Sequence, residues 1–137
     1  MRLKKELKGL AKGLVMITPV DEQTESTRAA IARFNAAFDR HDVDGVMAAM
    51  TNDCVFESTG PAPDGDIFTG AAAVRTFWEH FFRANPEARF EAEEQFAAGD
   101  RCVVRWRYNW GSGHVRGIDV FRVRDGLVAE KLCYVKG

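Results

Sequence analysis

The sequence has few of the residues on which small-protein chemistry is usually built. Its 137 residues include three cysteines, three histidines and four prolines. Cys54, Cys102 and Cys133 lie far apart and none belongs to a C-x-x-C pair, which excludes a zinc knuckle or a thioredoxin-like redox motif. His41, His80 and His114 are equally scattered and no H-E-x-x-H run occurs, so no metal is expected. Phosphate-cradling loops of the G-x-x-x-x-G-K-S/T or G-x-G-x-x-G type are missing, as is the G-x-S-x-G nucleophile turn, and no cofactor is expected. No apolar run approaches the ~18–20 residues that span a bilayer. Neither sign of charge dominates: 19 Lys and Arg face 20 Asp and Glu, a net charge of −1. That balance removes the polybasic coat which drives nucleic-acid binding by overall charge, so no nucleic-acid partner is expected.

What is present is a chain of ordinary globular composition, 46% hydrophobic and 28% charged. A chain of this length forms one domain and can bury roughly two thirds of its unfolded surface without a staple. The three cysteines sit in apolar stretches (DCVFE, RCVVRW, KLCYV) and read as buried free thiols of a cytoplasmic protein. Residues 1–20 form a basic extension and linker, and residues 21–137 the domain. Within the extension, Leu3, Leu7, Leu10 and Leu14 draw one apolar stripe opposite a lysine face. Such a helix can lie on an anionic membrane or a partner. Here residues 1–15 are read instead as an extension ahead of a start at Met16, or a frayed tail, with no membrane contact. They carry five positive charges and one negative, so without them the net charge moves from −1 to −5.

Past the linker the pattern is helical and then extended. Ala29, Ala30, Arg33, Phe34, Ala37 and Phe38 recur at helical spacing, with Thr24 or Ser26 as cap and a stop near Arg40–His41. Asp42 or Asp44 caps a short second helix over VMAAM. CVFEST, residues 54–59, alternates like a strand and runs into the irregular loop GPAPDGD. A third helix, GAAAVRTFWEHFFRAN, carries Val74, Phe77, Trp78, Phe81 and Phe82 on a broad apolar face and ends at Asn85-Pro86. Strands follow over 89–97, 101–110, 115–124 and 127–135, separated by Gly99-Asp100, Gly111-Ser112-Gly113 and Asp125-Gly126. Helices in the first half and strands in the second make the fold class α+β.

Three stretches in this order, FNAAFDRHDVDGVMAAMTNDCVFE, G-x-x-A-V-R-x-F-W and RGIDVFRVRDGLVAE, resemble the SnoaL-like group of the NTF2-like superfamily. The resemblance runs from about Thr24 to Val135. It implies a cone, with a curved antiparallel sheet wrapped around N-terminal helices, an internal pocket, and a homodimer packed through the sheet. The group includes polyketide cyclases, ketosteroid isomerases, limonene epoxide hydrolases and binding proteins. Aligned on the D-x-D-G turn, Phe34 stands where the isomerases have a tyrosine and Ser58 where they have the base. Asp119 matches their late-strand aspartate, so the isomerase mechanism does not transfer whole. The hydrolase Arg and Asp set has no counterpart in R-W-R or E-K-L-C-Y. The SnoaL-type cyclases place an acid/base aspartate at the position of Asp119.

Strand alternation then gives a site independent of the family. With Asp119 facing in, Gly117, Phe121 and Val123 follow, while Ile118, Val120, Arg122 and Arg124 face a dimer partner or solvent. Val104, Trp106, Tyr108 and Trp110 share the inner face of their strand, Cys54, Phe56 and Ser58 of the first, and Leu132 and Tyr134 of the last. The resemblance adds Phe34 and Trp78, which fall where the isomerases carry a pocket tyrosine and a pocket-wall aromatic, to the expected lining for a small apolar molecule. Burial raises a carboxyl pKa, which would suit Asp119 to proton transfer beside a carbonyl, with Tyr108 or His114 bonding the enolate oxygen. Other readings stay open: Asp119 could instead accept hydrogen bonds from Trp, Tyr or backbone N–H and only close the pocket, or face outward, and the whole could be a non-catalytic ligand-binding protein or a structural dimer module whose cone is filled by its own aromatics. His80 points away from Trp78 and is expected in solvent.

Overall fold

The computed structural model describes residues 21–137, so the expected basic extension and the boundary that ends it lie outside the described residues. The chain order is α1 (Glu22–Asp39), α2 (Val43–Ala48), β1 (Met50–Glu57), β2 (Ile67–Thr69), α3 (Ala71–Ala84), β3 (Arg89–Ala98), β4 (Arg101–Asn109), β5 (His114–Arg124) and β6 (Leu127–Val135). The strands form one curved, unclosed sheet in the order β2-β1-β6-β5-β4-β3. The helices pack into its concave side, and the α+β cone implied by the resemblance is the observed fold.

Local chemistry explains most boundaries. The cap of α1 is Asp21 rather than Thr24 or Ser26. Its carboxylate accepts from the N–H groups of Gln23 (3.0 Å) and Thr24 (3.3 Å) and from the Thr24 hydroxyl (2.7 Å). Thr24 and Thr27 are thereby free to tie the helix to the sheet: Thr24 Oγ1 accepts from Gly99 N–H at 2.8 Å, and Thr27 Oγ1 donates to Gly99 O at 2.6 Å. The helix stops as expected, with His41 at φ 55° and Asp42 capping α2 through Gly45 N–H at 3.0 Å. Both motifs convert short polar side chains into helix ends.

The sheet differs from expectation in three places. β1 begins at Met50, four residues earlier than the alternation suggested, and a register irregularity between Met50 and Val55 interrupts its pairing with β6. β2 was not anticipated. It lies beside β1 because Ser58 closes the intervening loop: its hydroxyl donates to Gly60 O at 2.7 Å and accepts from Asp66 N–H at 3.1 Å. Finally, β1 and β6 run parallel, whereas the other neighbours are antiparallel. A parallel pair needs a long crossover, and here nearly the whole domain supplies it.

The core lies between α1, α3 and the sheet. Ile31, Val46, Cys54, Val74, Phe121 and Val128 are fully enclosed there. The inward face of α1, Thr27, Ala30, Ile31, Phe34, Ala37 and Phe38, follows the i, i+3, i+4 spacing of one helical face. His80 is exposed, as its angle to Trp78 required. Among the described residues no helix is long and apolar enough to cross a membrane. Because Ile31 has no exposed surface, Ile31→Ala is expected to lower unfolding stability by about 2–5 kcal/mol. His80→Ala should move the same urea-denaturation midpoint by less than about 0.5 kcal/mol in equivalent terms.

Candidate functional site

Alternation on β5 turns Gly117, Asp119 and Phe121 toward the helices, and the β4–β5 ladder sets Trp106 opposite Gly117 and Val104 opposite Asp119. Gly117 is needed there: a Cβ would stand 2.6 Å from the Trp106 ring, so only glycine lets the indole lie across β5 next to Asp119. From the other side, α3 contributes Phe77, Trp78 and Phe81, and α1 contributes Phe38. These elements line a cavity of about 460 Å³, into which Phe56 of β1, Ser58 just past the end of that strand and Tyr108 of β4 also face. A second space of about 60 Å³ adjoins it, lined by Phe34, Asn35 and Asp39 of α1 together with Asp119 and Lys131.

The last strand departs from expectation. Leu132 is half-buried and Tyr134 is 53% exposed, both outside this cavity; Lys131, Cys133 and Val135 line it instead. The cause is a bulge. Arg124 pairs with Leu127 and Val123 with Val128 across the Asp125-Gly126 turn, and continued regularly that register would put Leu132 opposite Asp119. One extra residue enters β6 between the partners of Val123 and Arg122, so Asp119 faces Cys133 and Phe121 faces Lys131. A one-residue slip exchanges the two faces of a strand.

Lys131 is the functional candidate that sequence reasoning missed. Its Nζ lies 3.3 Å from Asp119 Oδ2 and donates to Cys133 Sγ at 3.0 Å. Four rings surround the same atom, with centroids at 5.2 Å (Phe56), 5.3 Å (Trp78), 5.6 Å (Phe38) and 5.9 Å (Phe121). Burial works against the ammonium, but the Asp119 carboxylate and the neighbouring sulfur outweigh it, and the Lys131 pKa is raised. The lysine is therefore charged at neutral pH. Burial pushes the Cys133 thiol up, leaving it protonated. The expected lone carboxyl is thus one half of a buried ion pair. Its other oxygen, Oδ1, is enclosed and has no hydrogen-bond partner among the described residues, nor do the indole N–H groups of Trp78 and Trp106. The lysine's position was obscured because an apolar strand pattern assigns a lysine to solvent, and only the bulge reverses that assignment.

The remaining candidates divide by place. Tyr108 stacks on Phe90 at 4.7 Å, and burial raises its pKa, so it stays a phenol. Phe34 and Phe121 meet edge to face at 5.6 Å behind the charged pair rather than on the main cavity wall. His114 begins β5 at an exposed position and does not reach the cavity, so it cannot bond an enolate oxygen there. Trp110, expected inside with Tyr108, is 41% exposed beyond the end of β4. Among the described residues no three His, Cys, Asp or Glu side chains are grouped to hold a metal.

Helices packed in a curved, unclosed six-stranded sheet make the cone of an NTF2-like protein. Residues 31–131 match the family model of the SnoaL-like domain, and the chain belongs to that family. Among solved structures it is similar to an NTF2-like protein of unknown function from Mesorhizobium loti, 40% identical over 88% of this chain and 98% of that one, with a TM-score of 0.77. It also resembles a candidate ketosteroid isomerase from Kribbella flavida (20% identity, 84% and 81% of the two chains, TM-score 0.73). A candidate polyketide cyclase from Sinorhizobium meliloti is similar too (21%, 76% and 92%, TM-score 0.66). At those identities the last two speak to fold alone. A search of curated proteins found no match.

The ion pair sets a thermodynamic expectation. Asp119→Asn leaves an ammonium enclosed without its counter-charge, which should cost about 3–5 kcal/mol of unfolding stability. Adding Lys131→Met should return much of that loss, a coupling measurable as a double-mutant cycle in urea.

Proposed function

We propose that this chain is a cofactor-free enzyme of isomerase or cyclase type that moves a proton at the carbon beside a carbonyl, with Asp119 as the acid/base group. The observation that carries this reading is Asp119 in the lining of a cavity otherwise made largely of aromatic rings, with an enclosed Oδ1 that accepts no hydrogen bond among the described residues. A general base must have an unshared oxygen within reach of the C–H it attacks, in a space that excludes bulk water. The ion pair of Asp119 occupies Oδ2 and leaves Oδ1 unshared among the described residues, so a ligand drawn against Asp119 would meet an oxygen with a free lone pair. The rings of Phe56, Phe77, Trp78 and Phe81 suit an apolar, even polycyclic, carbonyl compound, and a volume of about 460 Å³ is within the range of small-molecule sites. Tyr108, Trp78 and Trp106 line the same cavity as neutral side chains, and the two enclosed indole N–H groups have no acceptor among the described residues. The names of the two remoter neighbours, isomerase and cyclase, belong to the same class of chemistry.

Enolisable ketones incubated with the protein in D2O should exchange their α-protons, followed by NMR. Asp119→Asn, checked for folding by circular dichroism, should slow this by about 10²–10⁴-fold. Equal exchange in both proteins would overturn the enzyme reading. No exchange in either, with retained ligand affinity, would assign the cavity to binding alone.

We also propose that the chain works as a homodimer of a cytoplasmic protein, joined through the outer face of the sheet. Val103, Ile118, Val120 and Leu132 are half-buried there beside exposed Phe96 and Tyr134. Around them stand the ion pairs Arg105–Glu94 (2.9 Å), Arg116–Glu93 (2.7 Å) and Arg122–Asp100 (3.0 Å). An apolar centre with a charged rim is the usual anatomy of a protein–protein contact. Sedimentation should give twice the chain mass, and Ile118→Glu should give the monomer.

A further inference from the structure

We propose that Lys131 is the oxyanion-holding group of this cavity: its ammonium receives the oxygen on which negative charge develops while Asp119 Oδ1 takes the proton. The proposal deepens the proton-transfer reading above and, for its catalytic part, rests on it.

Three observations lead there. An ammonium has three N–H donors. Lys131 directs one at Asp119 Oδ2 and one at Cys133 Sγ, and has no further acceptor among the described residues. The surrounding rings of Phe38, Phe56, Trp78 and Phe121 stabilise the cation through their faces without offering it a lone pair. Among the described residues Lys131 is also the only cationic side chain that lines the cavity, where Tyr108, Trp78 and Trp106 are neutral.

The charge balance makes the arrangement useful. Before reaction the site holds Lys131 as a cation and Asp119 as an anion. When the α C–H bond of a ketone breaks, its proton passes to Asp119 Oδ1. The bonding pair becomes the C=C of the enolate, and the carbonyl π pair moves to oxygen. The site then holds the same lysine cation, a neutral Asp119 and an enolate anion. One ion pair has been exchanged for another in a medium where creating a new charge is costly. Return of the proton from Asp119 to a different carbon completes an isomerisation. Addition of the enolate carbon to a second carbonyl completes a cyclisation, and Asp119 then protonates the new alkoxide. The ligand class follows: an apolar ketone presenting its carbonyl oxygen and an α C–H on one edge, or a phenol, whose hydroxyl gives a proton to Oδ1 and accepts from Nζ.

Naphthols of graded acidity are suitable probes, because a naphtholate is a stable analogue of an enolate. Bound to the wild-type protein they should show the ionised absorbance band at a pH below their own pKa, with affinity rising as the naphthol becomes more acidic. Lys131→Met should abolish the band and weaken the most acidic naphthol by about 10²-fold, whereas Lys131→Arg should retain it. Asp119→Asn should act oppositely, ionising the bound naphthol more completely, because the ammonium then lacks a protein counter-ion. If single variants fail to fold, the double variant Asp119→Asn/Lys131→Met should bind naphthol un-ionised. An ionised band that survives Lys131→Met or the double variant, or that is lost instead in Trp106→Phe or Tyr108→Phe, would overturn the proposal. Failure of α-proton exchange in the wild type sinks the catalytic reading separately, and the naphthol series still decides whether Lys131 holds the oxyanion.

Discussion

The structure is organised around the cost of keeping two opposite charges away from water. Desolvating a carboxylate and an ammonium costs several kcal/mol each, and proximity alone does not reliably repay it. Here the remainder comes from ring faces delivered by separate elements: Phe38 from α1, Phe56 from β1, Trp78 from α3 and Phe121 from β5. Those rings also pack on one another, with Trp78 centred 4.5 Å from Phe56 and 5.1 Å from Phe38. Helix placement, sheet curvature and the charge state of the cavity are therefore one problem with one solution. Moving α3 would loosen the core and weaken the support of the lysine at the same time.

The aromatic content has the same double use. Phe77, Phe81 and Phe90 stand between the fully enclosed core and the open space, packed against both. A cone needs large side chains to close its narrow end and flat ones to line its wide end, and aromatic rings serve for both. Gly117 makes the complementary contribution: without a side chain, it clears the area into which the Trp106 ring fits.

Most of the fold was legible because its elements are punctuated by local chemistry. The four C-terminal strands begin and end within a residue of their expected limits, since Gly99, Gly111 and Gly126 adopt positive φ at the turns. Helix α1 could be read from its apolar face, while its cap moved to Asp21 because a carboxylate reaches several donors at once. β2 was missed because its residues join the sheet through the loop closed by Ser58 rather than through any pattern of their own. Of the residues that line the cavity, Asp119, Trp106, Tyr108, Phe56 and Ser58 followed from alternation, which holds as long as a strand is regular, while Trp78 of α3 followed from the family resemblance. Lys131 did not, because a bulge is decided by packing on both sides of a sheet and leaves little trace in the order of residues. The same slip moved Leu132 and Tyr134 outward.

The parallel pairing of β1 with β6 has a temporal consequence. It places the last strand of the domain third in a six-stranded sheet, between segments formed by residues 50–69 and 89–124. Until residues 127–135 are in place, the sheet is two fragments with open edges facing each other, and the aromatic cup has no ammonium to surround. The charged centre and the joining of the halves therefore arrive together, so a half-assembled chain has neither a continuous sheet nor a competent site.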